Sequence, residues 1–470
     1  MKGGMREGAR GGGAQPRGFW GEFLDLSGLG LILWRLMAHI RPFSAIRYAS
    51  QMGSDLSQLI APPYDVLNEQ GKAALQAKHT HNIVTVDLPH MPPKTVGPDE
   101  AYERSHVTLQ TWLKSGVLAK DARPALYPYA QTYEHAGRTY RRRGFFGLVK
   151  LSPFGAGEVV PHEKTHKEAI EDRLKLMRAT RVQLSPIFGL YSDPKNEVAS
   201  LLYRDLGKPA ATGTLDEVRN DLWVVPNAEI ENKVIDLLGQ RSIYIADGHH
   251  RYTTALKYQA EMREANGGTL PEAHPANWCL FVLIGMQDSG LLILPTHRLI
   301  GGLTGFNIEG LKTALKDTFE VSDTGLAADR MEEYLRDMLP KAPPHTFGVF
   351  DGKTRKIHQL RLKNLDVLKA LEPDKSDAWR HLDVAILQRY LLDEVIQPTF
   401  AGGKEPIRSY TADPAEITPQ VDGQRYQMAL MLQSTPLMAL EELGKHGEVM
   451  PQKSTYFFPK LATGLVINPL

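Results

Sequence analysis

Two short stretches carry side chains that could perform catalysis or bind an anion, and the first is HEKTH at residues 162–166. It matches the H-E-x-x-H pattern, in which two histidines one helical turn apart bind zinc and the glutamate is the general base. Pro161 precedes it, so the pattern can begin a helix but cannot lie mid-helix, and Lys164 places a cation between the potential ligands. We therefore predict that this stretch binds no zinc. The least favoured alternative is a metal-dependent hydrolase that uses His162, Glu163 and His166. In another alternative the stretch has only a structural role, and His162 and Glu163 cap a helix.

The second stretch is YIADGHHRY at residues 244–252, where an apolar strand leads through a glycine into a helical pattern. Exposed N–H groups and the positive end of the helix dipole favour phosphate at such a turn, and glycine lets the backbone approach it. Asp247 could hold a magnesium ion or orient a hydroxyl group, and Arg251 could bind phosphate through two hydrogen bonds. The pattern predicts phosphate binding by Gly248, His249, His250 and Arg251; the structural alternative is a tight turn with a capping aspartate.

Three further stretches place basic and hydroxyl side chains at predicted loop ends: APPYDVL (61–67), LPTHRLI (294–300) and PQKSTYFFPKL (451–461). Each stretch alone is better explained as structural. Together they predict an anionic ligand, with Arg298 and Lys453 as further binding residues and Lys460 beside them.

The composition is that of a globular protein without a strong charge bias. The 470 residues are 42% hydrophobic, and 55 basic against 54 acidic side chains give a net charge of +1, so nucleic acid is not an expected partner. The one cysteine, Cys279, lies in the apolar run NWCLFVLIG, which predicts a buried strand. Because a single cysteine cannot form an internal disulfide, we expect the protein in the reducing cytoplasm. The apolar run LGLILW is far shorter than the roughly 20 residues of a membrane span. Composition leaves the oligomeric state open.

The chain divides into three predicted parts. Residues 1–36 are glycine-rich and irregular, so we expect an unpacked extension with Met37 as the functional start. Residues 37–303 alternate short apolar strands with helices, whereas residues 304–470 contain longer helices with a few strands between them. This pattern is typical of a mixed α/β or α+β protein, here an α/β core followed by an α+β C-terminal domain.

Individual elements follow from periodicity and turn residues. We expect a strand at 83–88 (IVTVDL) and a helix at 100–116 ending at Gly116. Buried strands are predicted at 185–191, 221–226 and 242–247, and a helix in HLDVAILQRYLLDEVI. Two hairpins are predicted: one around His135-Ala136-Gly137, with Arg138 and Arg141–Arg143 on a solvated edge, and one through Gln287-Asp288-Ser289.

Eight motifs in order resemble the bacterial family known as domain of unknown function 1015: APPYDVL, HEKT, DRL, SPIFGLY, ADGHHRY, PTHR, LDVAIL and MPQKSTYFFPKLATGL. The resemblance runs from Met37 to Leu470. In the family pattern the glutamate element is HE-x-T, which Glu163 and Thr165 match, and His166 is not part of it.

A weaker similarity concerns the strand–DGHHR–helix element, which looks like the phosphate-binding turn of the ParB and sulfiredoxin-like fold. That fold includes nucleotide-binding partition proteins and ADP-dependent free serine kinases. The resemblance implies a ParB-like nucleotide-binding core in residues 37–303, with ATP or ADP and Mg²⁺ as cofactors. It also implies that Asp247 to Arg251 hold phosphates and that Glu163 is the base.

Three functions are compatible with these residues. The first is a nucleotide-dependent phosphotransferase acting on a small hydroxyl compound, such as free serine. The second is a nucleotide-binding regulatory protein that transfers nothing. The third is the metal-dependent hydrolase. In the first, Glu163 and Asp247 are the expected catalytic residues of a small-molecule site; in the second, the same phosphate turn drives a conformational switch.

Residues 1–36 should be removable without loss of stability, because their composition cannot support a packed core. The test compares the melting temperature of the full chain with that of a chain beginning at Met37. A clearly lower melting temperature for the shorter chain would show that the extension packs against the rest.

Overall fold

The computed structural model describes residues 39–155, 158–163, 165 and 167–470. The predicted extension 1–36 lies outside the described residues, and so do Lys164 and His166 of the HEKTH stretch. The mixed α/β class expected from the sequence is confirmed.

Strands and helices alternate along most of the chain. In chain order, the strands are β1 Ile40–Arg41, β2 Ile46–Tyr48, β3 Leu118–Lys120, β4 Tyr127–His135, β5 Arg138–Lys150, β6 Val159–Val160, β7 Val182–Gln183, β8 Ile187–Tyr191, β9 Ala211–Leu215, β10 Val218–Leu222, β11 Ile243–Asp247, β12 Trp278–Gly285, β13 Leu292–Leu294, β14 His297–Gly301, β15 Phe319–Ala327, β16 Thr346–Asp351, β17 Lys356–Leu362, β18 Ile407–Thr411, β19 Tyr426–Met431, β20 Tyr456–Phe458 and β21 Asn468–Pro469. The α-helices are α1 Glu69–Lys78, α2 Val84–Asp87, α3 Asp99–Lys114, α4 Lys167–Thr180, α5 Glu197–Tyr203, α6 Ala228–Leu238, α7 His249–Ala265, α8 Ile308–Leu315, α9 Met331–Glu333, α10 Asp377–Arg380, α11 Asp383–Ala385, α12 Gln397–Phe400, α13 Ile417–Gln420 and α14 Met438–Lys445. Wider helical turns span Tyr334–Met338 and Ile386–Ile396, and tighter ones span Ser50–Met52, Tyr64–Val66, Pro275–Asn277, Ala328–Arg330, Leu339–Lys341, Leu365–Leu368 and Pro414–Glu416.

The larger sheet has nine strands within the described residues, in the order β6-β11-β8-β12-β5-β4-β10-β9, with β1 also paired to β5. The long hairpin β4–β5 forms as predicted from the turn residues Ala136 and Gly137, both of which have positive φ. Strand β12 is buried along its whole length, as predicted for the run that contains Cys279. Two parallel pairings, β12 with β8 and β11 with β6, occur in this otherwise antiparallel sheet.

The second sheet has the order β15-β17-β16-β19-β14-β18. Strand β14 belongs to it although it precedes residue 304, so the domain boundary at 303/304 stays a prediction. After α14 the chain returns to the first sheet region: β20 pairs with β13, and Ile46 N donates to Ile467 O at 2.9 Å. One buried cluster joins side chains of both sheets, including Phe188, Val282 and Leu430.

Several predicted elements are confirmed. The helix predicted at 100–116 is α3, and Gly116 follows it with φ +77°. The strands predicted at 185–191 and 242–247 are β8 and β11, and the helix predicted in HLDVAILQRYLLDEVI lies within the helical stretch 383–400. Within the described part of the chain, every helix is too short or too polar to cross a lipid bilayer.

Other predictions were wrong. Within IVTVDL, residues 84–87 form helix α2, and the Asn82 side chain just before it accepts a hydrogen bond from Val84 N at 3.0 Å. Only the start of the run 221–226 lies in a strand, β10. The hairpin through 287–289 does not form, since β12 pairs within the first sheet and β13 pairs with β20.

Helix α4 is fixed by a buried ionic cluster. Asp172 is fully buried and accepts hydrogen bonds from Tyr102 Oη at 2.8 Å and from Arg173 Nε at 2.8 Å. Arg173 also donates to the backbone oxygen of Asp87 at 2.6 Å, and its guanidinium lies 4.0 Å from the centroid of the Tyr64 ring. The cluster therefore joins α2, α3 and α4.

Asp172→Ala should lower the free energy of unfolding by about 3–5 kcal/mol, because it removes one partner of a buried ion pair. A matched control is Lys175→Ala on the same helix, since its partner Asp99 is 84% exposed. That control should cost about 0–1 kcal/mol. Urea unfolding measures both variants, and equal losses would contradict the assignment of the buried cluster.

Candidate functional site

The two chemical stretches of the sequence meet at one edge of the first sheet. Strands β6 and β11 are parallel neighbours, with Val159 opposite Ile243. Because parallel strands end at the same edge, Glu163 after β6 comes close to Asp247 at the end of β11. The contact is direct: His162 N donates a hydrogen bond to His249 Nε2 at 3.1 Å, across 87 residues of sequence.

His162 and His249 form a buried pair. Their ring centroids are 4.6 Å apart in an edge-to-face arrangement. His162 Nδ1 donates to Ile245 O at 2.5 Å, and its Nε2 accepts from Thr455 Oγ1 at 3.0 Å. Burial lowers the pKa of His162 and, with His162 as neighbour, lowers the pKa of His249 well below the ordinary value. Both rings are therefore neutral at neutral pH.

The hydrogen bonds of His162 disfavour zinc binding at this residue. Both ring nitrogens of His162 already take part in hydrogen bonds, so a zinc ion there would have to break one of them. Among the described residues, no three or more His, Cys, Asp or Glu side chains are grouped so that they could hold a metal ion. His166, the second histidine of the hypothesis, lies outside the described residues.

Asp247 is held between two cations. Its Oδ1 is 2.6 Å from Lys460 Nζ and its Oδ2 is 2.5 Å from Arg251 Nη2. Burial alone would raise the pKa of Asp247, but Lys460 and Arg251 outweigh burial and hold the pKa below its ordinary value. Burial likewise would lower the pKa of Lys460, but Asp247 raises it. Both carboxylate oxygens of Asp247 are therefore engaged by protein cations.

Gly248 makes the turn from β11 into α7. Its φ is +97°, a conformation that favours glycine, and a Cβ atom there would lie 3.0 Å from the Arg251 guanidinium. Helix α7 begins at His249, and Tyr252 N closes its first turn on Gly248 O at 3.0 Å. The predicted sequence of strand, glycine turn and helix is thus present, with the N-terminus of a 17-residue helix at the site.

A pocket of about 710 Å³, part of it open to solvent, lies in front of this turn. We call it the turn pocket. Its lining comes from several distant parts of the chain: Asp65, Val66, Lys94, Glu163, Ala246, Asp247, His249, Thr296, Tyr410, Thr411, Ala412, Lys453, Thr455, Tyr456 and Lys460.

The Glu163 carboxylate lies in the wall of the turn pocket with its side chain 20% exposed. Its Oε1 accepts a hydrogen bond from Ser454 N at 3.2 Å. Two basic side chains that are near Glu163 in the sequence do not act as free cations beside it. His162 is neutral, and Arg173 is paired with Asp172 and Asp87 in the α4 cluster instead.

Some of the other predicted binding residues line the turn pocket and some do not. His249 and Lys453 line the turn pocket, as Asp247 and Glu163 do. Arg251 instead donates to Pro186 O and to Asp247, and its side chain lines a second cavity behind the turn. Neither His250 nor Arg298 is part of the lining of the turn pocket.

Arg298 lies behind the pocket wall. Its side chain is 1% exposed, and its guanidinium donates to Thr296 O and lies 5.6 Å from the Tyr410 ring centroid. Burial lowers the pKa of Arg298 to about 10, against the opposing effect of Tyr410 and Glu163. Arg298 is therefore a buried cation close to Glu163.

Sequence reasoning missed how the C-terminal segment is held in place. Arg142, expected on a solvated hairpin edge, is 1% exposed and lies in the interior of the sheet. It donates to Phe458 O at 3.0 Å and Pro459 O at 2.5 Å, and also to the side chain of Gln131. Gln131 Nε2 donates to Lys460 O at 3.0 Å. These two side chains bind three consecutive carbonyls and so position Lys460 for Asp247; no local sequence signal reveals a contact across more than 300 residues.

The chain belongs to the family described as protein of unknown function (DUF1015), whose family model matches residues 40–385. No curated protein matches it. Among solved structures, a free serine kinase in complex with AMP is 12% identical, covers 68% of this chain and 92% of its own, and has a TM-score of 0.33.

Two further solved structures show likeness at a comparable level. A conserved hypothetical protein from Pyrococcus furiosus is 15% identical, covers 69% of this chain and 95% of its own, and has a TM-score of 0.32. SbnI with a C-terminal truncation from Staphylococcus aureus is 11% identical, and the likeness covers 68% of this chain and 87% of that one, with a TM-score of 0.33. The family model, and not these structural likenesses, establishes the family.

Lys460→Met should destabilise the protein at pH 7 by about 1.5–3 kcal/mol, the range for a hydrogen bond to a charged group. A carboxyl group with a lowered folded-state pKa contributes stability above its ordinary pKa and loses it as the pH falls through the folded value. The difference between parent and variant should therefore narrow as the pH falls below about 4. Urea unfolding across this range measures it, and a difference independent of pH would mean that Lys460 acts by packing alone.

Proposed function

We propose that the protein binds a nucleotide, ATP or ADP, with its phosphates at the Asp247–Gly248 turn, and transfers a phosphoryl group to a small hydroxyl compound such as free serine. The observation that carries the proposal is the convergence, in the turn pocket, of a helix N-terminus, three lysines and the Glu163 carboxylate. Helix N-termini and lysines bind phosphate, and a carboxylate can accept the proton of a hydroxyl group.

The lysines differ in what they already bind. Lys460 pairs with Asp247, and Lys94 lies 3.6 Å from Asp65, whereas Lys453 is exposed on the rim. Lys453 also has φ +59°, a backbone conformation that costs free energy for a residue with a Cβ atom and is common at functional sites. We assign Lys453 and Lys460 to the phosphates, with Lys94 as a third cation at the same pocket.

Arg251 takes a supporting role in this proposal. Its guanidinium is bound to Asp247 and to Pro186 O on the far side of the turn, so it fixes the carboxylate and does not reach the ligand. The arrangement does not fit a Mg²⁺ ion bound to Asp247, because both of its oxygens already contact protein cations. Charge neutralisation is therefore assigned to the lysines.

In the transfer step, the substrate hydroxyl oxygen forms a bond to the terminal phosphorus while the bond from that phosphorus to the leaving phosphate oxygen breaks. The hydroxyl proton passes to Glu163, which is the proposed general base. Ser454 N, through its hydrogen bond to Oε1, orients the carboxylate. Most of the rate enhancement comes from positioning and charge neutralisation, as is usual for phosphoryl transfer.

Glu163→Gln keeps the size and hydrogen-bonding reach of the side chain but removes its basicity. It should leave nucleotide binding nearly unchanged and lower turnover by about 10²–10⁴-fold. The measurement is nucleotide consumption with and without a panel of small hydroxyl compounds, beside nucleotide affinity by calorimetry.

The matched control is Glu168→Gln, an exposed glutamate in the first turn of α4 that does not line the pocket, and it should behave as the parent does. Unchanged turnover in folded Glu163→Gln would reject the role of base. Nucleotide binding by the parent without turnover on any hydroxyl compound would favour the alternative, a nucleotide-binding regulatory protein.

A further inference from the structure

The turn pocket has an apolar part that phosphate binding does not explain. Large apolar side chains that are prominently exposed are few among the described residues: Val66, Val96, Val107, Phe154, Met338, Leu365, Ile407, Tyr410 and Met438. Two of them, Val66 at 48% and Tyr410 at 37%, line the turn pocket. They come from distant parts of the chain, so the fold brings two exposed apolar side chains to one pocket whose other lining residues are mainly polar.

The Tyr410 ring is held from behind. Tyr410 lies opposite Arg298 in the pairing of β18 with β14, and the buried Arg298 guanidinium is 5.6 Å from the ring centroid. Strand β18 is the last strand of its sheet, so the side away from β14 has no strand neighbour in the described residues. The ring thus has one side fixed against a buried cation, and its exposed surface faces the pocket.

The other aromatic residue of the pocket has a different environment. Lys460 Nζ lies 4.6 Å from the centroid of the Tyr456 ring, and Lys460 is the partner of Asp247. Tyr456 therefore belongs to the charged end of the pocket, where phosphates are proposed. Tyr410 is the second tyrosine of the lining, where Thr411 and Ala412 accompany it.

We infer that Tyr410 is the stacking surface for the base of the bound nucleotide, with Val66 as an apolar neighbour in the same pocket. This rests on the proposed function and adds to it that the second sheet selects nucleotides over base-free phosphates. A flat base has two π-faces, and stacking on an exposed aromatic ring is a sequence-tolerant way to bind one. The proposal accounts for an exposed tyrosine and an exposed valine at a site whose other lining groups are mainly charged or hydroxylic.

The test compares two probes that share phosphates and differ in the base: ATP and inorganic tripolyphosphate, each titrated calorimetrically into the full chain. Tyr410→Ala should weaken ATP binding by about 5- to 100-fold and leave tripolyphosphate binding unchanged. Tyr410→Phe keeps the ring and should retain the parent's affinity for ATP. Ile407→Ala is the matched control, since Ile407 is 54% exposed on the same strand and does not line the pocket.

The outcomes separate the two proposals. The stacking assignment is overturned if Tyr410→Ala binds ATP with the parent's affinity, or if its affinities for ATP and tripolyphosphate fall by the same factor. Phosphate binding stands in either case. A parent that binds tripolyphosphate as tightly as ATP also overturns it. If the parent binds neither probe, the proposed function fails and the stacking role fails with it.

Discussion

The pairing of Asp247 with Lys460 is the interaction on which the candidate site depends. A carboxylate in a largely buried position is destabilising unless cations and hydrogen bonds compensate its lost hydration. One compensating cation, Arg251, is four residues away, but the other arrives from 213 residues further along the chain. The turn after β11 and the C-terminal segment must therefore fold together. The contacts of Thr455 with His162 and of Ser454 with Glu163 follow from the same docking.

Much of the first half of the site was predictable from local patterns. Apolar residues followed by Asp247-Gly248 and a helical period predict a strand, a turn and a helix, and these are β11 and α7. Only the family resemblance suggested that the Asp247 turn lies near Glu163. Strand β6, which brings Glu163 there, has two residues and is too short to give a sequence signal. The roles of Lys460 and Arg142 depend on contacts across more than 200 residues, which no spacing rule contains.

The errors have the same origin. IVTVDL is rich in β-branched residues and has the composition of a strand. Long-range contacts outweigh this composition: the Asn82 side chain donates to Gln58 O and Ile60 O and accepts from Val84 N, so the start of α2 is tied to the loop before it. The arginines clustered around Arg142 predict a solvent-exposed strand edge. Arg142 is buried instead, with its guanidinium 4.7 Å from the Phe188 ring and bound to carbonyls of the C-terminal segment.

The return of the C-terminal segment to the first sheet also sets an order of events during synthesis. A ribosome makes Asp65, Glu163 and Asp247 long before it makes Lys453 and Lys460, so an emerging chain carries the Asp247 turn without one of its two cations. The pocket acquires its second wall only after residue 460 has left the ribosome. A ligand that needs Lys453 and Lys460 therefore cannot bind in this pocket until the C-terminal segment has been made.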